Sequence, residues 1–344
     1  MKFQYFKLLV VSLLLFASAD AQTWSTVGSG VVGHFTPMCV YNGKLYAGSM
    51  DSVGKKATHI ACWDSKKWAS PDSGFHGNVT AMVEYKGKLY AGTEIGVGVN
   101  KSYNLLCWND TLWKYCGSTN GRINVLYVMK GELYMGGSFT TADTIQAKHI
   151  AKYSDSLGWK KVGRGLPNNV WALIVYREQL YAGGQFQSVE RLVGKNWEDV
   201  VNTGTQINSG WVKGFVNYFD ELYACGEYDY LLKWDSKTWT SVSPFNGGSF
   251  ALTPYNGSLY VGGDFTSVPG VDNAFHIATY QSGSHLWSCI GGVIYWSGDC
   301  KNYTGTVNSF AVYKKELYIG GQFMIAGGKI ASNIAKWTTP EDNK

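Results

Sequence analysis

The stretch YNGKLYAG, Tyr41–Gly48, decides the fold, because the chain returns to it six more times. YKGKLYAG (Tyr85–Gly92), MKGELYMGG (Met129–Gly137), YREQLYAGG (Tyr176–Gly184), YFDELYACG (Tyr218–Gly226), YNGSLYVGG (Tyr255–Gly263) and YKKELYIGG (Tyr313–Gly321) keep its Leu-Tyr pair and the glycine that follows. The in-register leucines Leu45, Leu89, Leu133, Leu180, Leu222, Leu259 and Leu317 are 44, 44, 47, 42, 37 and 58 residues apart. A period of that length with strand-like composition predicts an all-β, seven-bladed β-propeller with one four-stranded antiparallel blade per repeat.

Within the first repeat, Phe35–Tyr41 alternates and is rich in β-formers, which suits an inner strand. Asn42-Gly43 is a two-residue hairpin turn, since both positions need positive φ; Asn256-Gly257 repeats it and Lys86-Gly87 and Lys130-Gly131 are weaker forms. Lys44–Gly48 is the second strand and His59–Trp63 the third, and Trp68 opens the fourth. The last repeat supplies only three strands, ending at Asn333–Trp337. TWSTVGSG (Thr23–Gly30) matches the fourth strand of other blades, such as WKKVGRG (Trp159–Gly165), so the N-terminal strand is expected to complete blade 7 and close the ring.

Upstream of that strand, Lys2 and Lys7 precede an apolar run from Leu8 to Phe16 and a small-residue Ala-x-Ala site before Gln22. This reads as a secretory signal peptide over residues 1–21, leaving residues 22–344 as one propeller domain. The expected product is exported, either extracellular or at the periplasm or cell surface. No cysteine closely follows the cleavage site to carry a lipid, and no later run is apolar enough for membrane insertion. The formal charge of +5 becomes +4 once Lys2, Lys7 and Asp20 are removed. With 16% charged residues and no basic run, nucleic acid is excluded as a partner, and a monomer is expected. Of seven cysteines, Cys62 and Cys107 share a repeat position (IACW, LLCW) and read as small core residues. Cys289 and Cys300 bracket the one large insertion, and a disulfide closing that loop suits an oxidising compartment.

The phrase LYxGGxF followed by (N/H)IAxW resembles the repeats of secreted propellers of the kelch/galactose oxidase superfamily. GGSF (Gly136–Phe139), GGQF (Gly183–Phe186), GGDF (Gly262–Phe265) and GGQF (Gly320–Phe323) carry it. The resemblance spans nearly the whole mature chain and implies the propeller fold and, as in many such proteins, a binding or cell-surface role. A galactose oxidase copper site is not implied, because the tyrosine and histidine set it needs and the accessory domain supplying one ligand are absent from this sequence.

No cofactor is expected. His59, His149 and His276 are one repeat position (HIA) seen in three blades, where hydrogen bonding to a neighbouring turn outweighs metal binding. Glu94, Glu227 and Asp264 occupy the position after the second glycine or its equivalent. Glu227 and Asp264, from adjacent blades, are the acid/base pair of an alternative reading as a glycoside hydrolase or lyase.

Positions that only hold the fold look alike in every blade, so variable positions point to function. Eleven residues before each repeated leucine stand His34, Asn78, Arg122, Asn169, Trp211, Gly248 and Thr306. Two further on stand Thr36, Thr80, Asn124, Trp171, Lys213, Phe250 and Asn308. Aromatic faces beside Asn, Arg and Lys suit a sugar or an acidic ligand. Tyr295 and Trp296, in the insertion, are placed on the same face. The reading of the sequence is a non-catalytic binding or surface-interaction protein whose partner is a glycan or a surface protein, engaged at the channel mouth.

Overall fold

The computed structural model describes residues 23–30, 35–53, 58–71, 77–96, 101–186, 188–200, 211–227, 230–296 and 303–339. The leader, His34 and Cys300 lie outside the described residues. Seven four-stranded antiparallel blades form a ring, as the repeat predicts, and the described residues contain no helix. The innermost strands are Phe35–Tyr41, Asn78–Tyr85, Ile123–Met129, Val170–Tyr176, Val212–Tyr218, Ser249–Tyr255 and Thr306–Tyr313. Each touches the next around the ring, and that of blade 7 touches that of blade 1. Blade 7 is completed by Thr23–Thr26, which pairs with Ile334–Thr338, so both ends of the propeller share one sheet.

Burial explains the repeated phrase. The second strands read Leu-Tyr, and both side chains are buried in all seven blades although they point to opposite sheet faces. A blade is therefore covered on both faces by its neighbours, and the strand pattern is continuous burial rather than alternation. The glycines that follow, one in blades 1, 2 and 5 and two in the others, set the spacing between strands. A Cβ on Gly136 would come within 2.5 Å of Val170 in the next blade, and one on Gly137 within 2.0 Å of the Arg122 carbonyl oxygen across the hairpin.

The tyrosine that opens the phrase clasps neighbouring blades. Tyr41 donates its hydroxyl to Gly87 O (3.1 Å), Tyr85 to Gly131 O (2.9 Å), Tyr176 to Asp220 O (3.1 Å), Tyr218 to Gly257 O (2.8 Å) and Tyr255 to Lys315 O (2.9 Å). Tyr313 closes the circle on Gly43 O at 2.9 Å. Each acceptor is the second residue of the next blade's inner hairpin turn, held in place by positive φ at both turn positions. Asn42-Gly43 has φ of 44° and 68°, but Arg177-Glu178, Phe219-Asp220 and Lys314-Lys315 adopt the same left-handed pair without glycine. Blade 3 begins its phrase with Met129 and lacks this hydroxyl.

Two local findings refine the sequence reading. The backbone of His149 (φ 62°) and His276 (φ 73°) is left-handed, a conformation that His and Asn tolerate better than most residues, and Asn333 (φ 68°) fills the same place in blade 7. The amides of His149 and His276 donate to Phe139 O and Phe265 O, so backbone groups make the turn contact expected of this position. Cys62 and Cys107 are buried in the core, and Cys116 occupies a bulge on the strand adjacent to Cys107. The insertion contributes Val293–Trp296, paired with Ile325–Ala326 and with Tyr303–Thr304.

Candidate functional site

Every innermost strand carries a β-bulge at the same place, one residue or two after the strand enters. The residue left without a ladder partner is Thr80, Asn124, Trp171, Lys213, Phe250 or Asn308 in blades 2 to 7, and in blade 1 the irregularity takes in Thr36 and Pro37. These are the second set of variable positions. A bulge adds a residue, re-aims its side chain and strengthens local twist. Here six of those side chains, together with Pro37, wall a central cavity of about 510 Å³ that every blade lines.

The walls are unlike one another. Blade 1 contributes Pro37 and Met38, blade 6 contributes Phe250, and blade 7 contributes Asn308. Thr80 is spent structurally: its hydroxyl lies 2.5 Å from Ile123 O and 3.1 Å from Gly92 O. Asn124 makes the equivalent link to the next blade through Nδ2, which donates to Val170 O at 3.0 Å, but its Oδ1 is buried with no hydrogen-bond partner.

Lys213 is held by its surroundings. Its ammonium is 3.0 Å from Glu227 Oε1, 3.7 Å from the centroid of Trp171 and 5.1 Å from that of Trp211, and its side chain is 17% exposed. The two indoles are nearly parallel, 8° apart with centroids at 6.5 Å. A cation between aromatic faces and a carboxylate is well compensated, and Lys213 acts as a strut across blades 4 and 5. Trp211 belongs to this clamp but does not line the cavity.

Arg122 has no such partner among the described residues. It lines the cavity, its Nε is buried without a hydrogen bond, and among the described residues no carboxylate lies within ion-pair distance of it. Burial lowers the pKa of the guanidinium, opposed by the charge of Glu94. Glu94, itself buried, is ion-paired with Lys101.

Other predicted residues fall elsewhere. Asn169 is satisfied by Gln185 Oε1 at 2.8 Å, Asn78 is a strand position opposite Glu94, and neither lines the cavity. The carbonyls of Arg122, Asn169, Trp211 and Gly248 accept the amides of Ser138, Gln185, Glu227 and Asp264, which gives this position a backbone role in four blades. Glu227 lines the cavity and Asp264 does not. Tyr295 and Trp296 lie on the insertion strand, and their side chains are outside what is described, as is Cys300, the expected partner of Cys289.

The class of protein defined by this fold is a seven-bladed β-propeller with a cavity on its axis. No family model and no curated protein matches the sequence. Among solved structures, the chain is similar to the WD40 β-propeller domain of Doa1 (TM-score 0.60, 10% identity, 92% of this chain and 97% of that one). It is similar also to YCF48 bound to D1 peptide (TM-score 0.60, 14% identity, 93% and 98%) and to the computationally designed Ika8 protein (TM-score 0.54, 10% identity, 91% and 98%). At these identities the likeness is one of fold.

Proposed function

We propose that this chain is a secreted, kelch-like binding protein without a catalytic role, which takes a carbohydrate in its axial cavity. The observation that carries this reading is the contrast between the repeated frame and the bulge residues. Leu-Tyr is invariant across the seven blades, whereas the cavity wall changes from Thr to Asn, Trp, Lys, Phe and Asn. A cavity of about 510 Å³ with mixed apolar and polar walls suits one or two sugar rings, and the ring of Phe250 offers an apolar face to them. Glu227 is engaged by Lys213, and Asp264 does not line the cavity, which favours binding over hydrolysis. Export rests on the leader, the kelch assignment on the repeated phrase, and glycan or surface-protein partnership on the cavity and that export.

A second reading follows from the peptide-bound neighbour: a propeller of this shape holds a peptide in one solved case, and an extended peptide would enter the same cavity. A glycan array and a peptide array probed with the mature chain separate the two. The expected result is retention on glycans, reduced about 2- to 13-fold by Phe250→Ala at unchanged melting temperature, corresponding to about 0.5–1.5 kcal/mol for a stacking contact. Retention on peptides alone, or glycan binding indifferent to Phe250→Ala, overturns it.

A further inference from the structure

Among the described residues, two cations, Arg122 and Lys213, line the cavity beside one carboxylate, Glu227, and the Lys101–Glu94 pair lies outside its wall. Lys213 is matched by Glu227 and Lys101 by Glu94, leaving the charge of Arg122 without a carboxylate in contact among the described residues. Arg122 is half-buried with its Nε buried and unbonded, and a charge held partly out of water is costly unless a partner meets it in contact. Two further polar groups on the same wall are also unmet. Asn124, two residues along the strand from Arg122, has a buried acceptor Oδ1 without a donor. Trp171 has a buried Nε1–H without an acceptor. Trp171 is the one described indole that lines the cavity. The three residues are contiguous, because Asn124 Nδ2 bonds the carbonyl of Val170, the residue before Trp171.

We propose that this wall of blades 3 and 4 is an anion subsite that reads the carboxylate of an acidic sugar, a uronic acid. The inference rests on the carbohydrate reading above and adds the charge and orientation of the ligand. Arg122 donates to the carboxylate, whose planar pair of oxygens matches the guanidinium fork. Trp171 Nε1–H donates to a second ligand oxygen, and Asn124 Oδ1 accepts from a hydroxyl. Donors and acceptors then balance: the ligand supplies a charge, an acceptor and a hydroxyl proton, which are the three things the wall lacks. A neutral sugar fills the acceptor and hydroxyl positions but leaves the guanidinium desolvated and unpaired. An acidic peptide could meet the same three groups through a carboxylate, a backbone C=O and a backbone N–H, so a peptide arm of the titration separates it from a sugar.

Calorimetric titration of the mature chain with disaccharides of glucuronate, galacturonate, mannuronate and guluronate, each beside its methyl ester, tests this directly. The ester keeps the rings and hydroxyls and removes the charge. At least one acid is expected to bind tenfold or more tighter than its ester, with the difference shrinking as salt rises. Arg122→Gln should abolish that preference and leave the ester's affinity nearly unchanged. Trp171→Phe, which keeps the ring and removes the N–H, should weaken the acid about fivefold, and Arg164→Gln, at an exposed position, should do nothing. Arg122→Lys, retaining charge without the fork, covers the case in which the Gln variant does not fold, and should lose most of the preference. Binding of acids and esters alike refutes the anion subsite while sparing the carbohydrate reading. Binding of trialanine with a free but not an amidated C-terminus, with no sugar bound, refutes both and points to a peptide carboxylate. An acid preference that survives Arg122→Gln refutes the assignment to this wall.

Discussion

Replacing Trp24 by alanine should loosen the entire ring, although the residue lies on an outermost strand. Trp24 is 4% exposed, packs on Trp337 with ring centroids 4.9 Å apart, and donates Nε1–H to Ile290 O at 2.5 Å. Its own carbonyl accepts from Lys329 Nζ at 2.6 Å, and its indole lies against the backbone of Gly327. Truncating a buried Trp costs about 3–5 kcal/mol, and the lost hydrogen bond adds about 1 kcal/mol. The sum, about 4–6 kcal/mol, falls on the strand that joins the two ends of the propeller. With an unfolding entropy of about 2.1 cal/mol/K per residue, a chain of roughly 320 residues has about 0.7 kcal/mol/K, so the melting temperature should drop by about 6–9 °C. Differential scanning calorimetry of the mature protein measures it, with Tyr115→Ala, at an exposed position of an outer strand, as the control expected to move by less than about 1 °C. A drop for Trp24→Ala no larger than that of Tyr115→Ala would refute closure through this strand. Deleting residues 23–30 should be more severe, because it also exposes the edge of Ile334–Thr338.

The remaining predictions concern strain, charge and covalent linkage. Lys315 is exposed with φ of 64°, so Lys315→Gly should stabilise the protein by about 0.5–1 kcal/mol, the relief of left-handed strain less the added freedom of the unfolded chain. A urea midpoint that fails to rise contradicts this. Glu190, buried opposite Asp199 in the outer strands of blade 4, has its carboxyl pushed up to about 7, first by burial and then by the hydrogen bond with Asp199. Because the folded value exceeds the unfolded one, the folded state binds more protons between about pH 4.5 and 7, and stability falls as pH rises through that window. Glu190→Gln should therefore raise the melting temperature at pH 8 and change it little below pH 4.5; an equal shift at both refutes the assignment. Peptide mapping of the exported, non-reduced protein should find Cys289 joined to Cys300, and recovery of both as alkylated thiols rejects the bridge.

The sequence by itself determined the number of blades, the register of each second strand and the strand that closes the ring. These follow from local rules repeated seven times: a Leu-Tyr pair fits a strand covered on both faces, and a turn of left-handed residues fixes the hairpin. Thr23–Thr26 was legible because it repeats the fourth strand of other blades. Aligning the repeats also isolated the variable positions that line the cavity, since unlikeness among equivalents is visible without coordinates. What they do there was not. The bulge that turns Asn124, Trp171 and Lys213 inward depends on strand pairing, and hairpin strain at Lys314-Lys315 has no glycine to announce it. Arg122 and Lys213 look equivalent as cations on a list. The hairpin of blade 5 sets Glu227 and Trp211 beside Lys213, and packing against blade 4 brings Trp171 over its ammonium, while Arg122 has no carboxylate in contact among the described residues; charge compensation is decided by strand pairing and blade packing, which a list of cations does not carry.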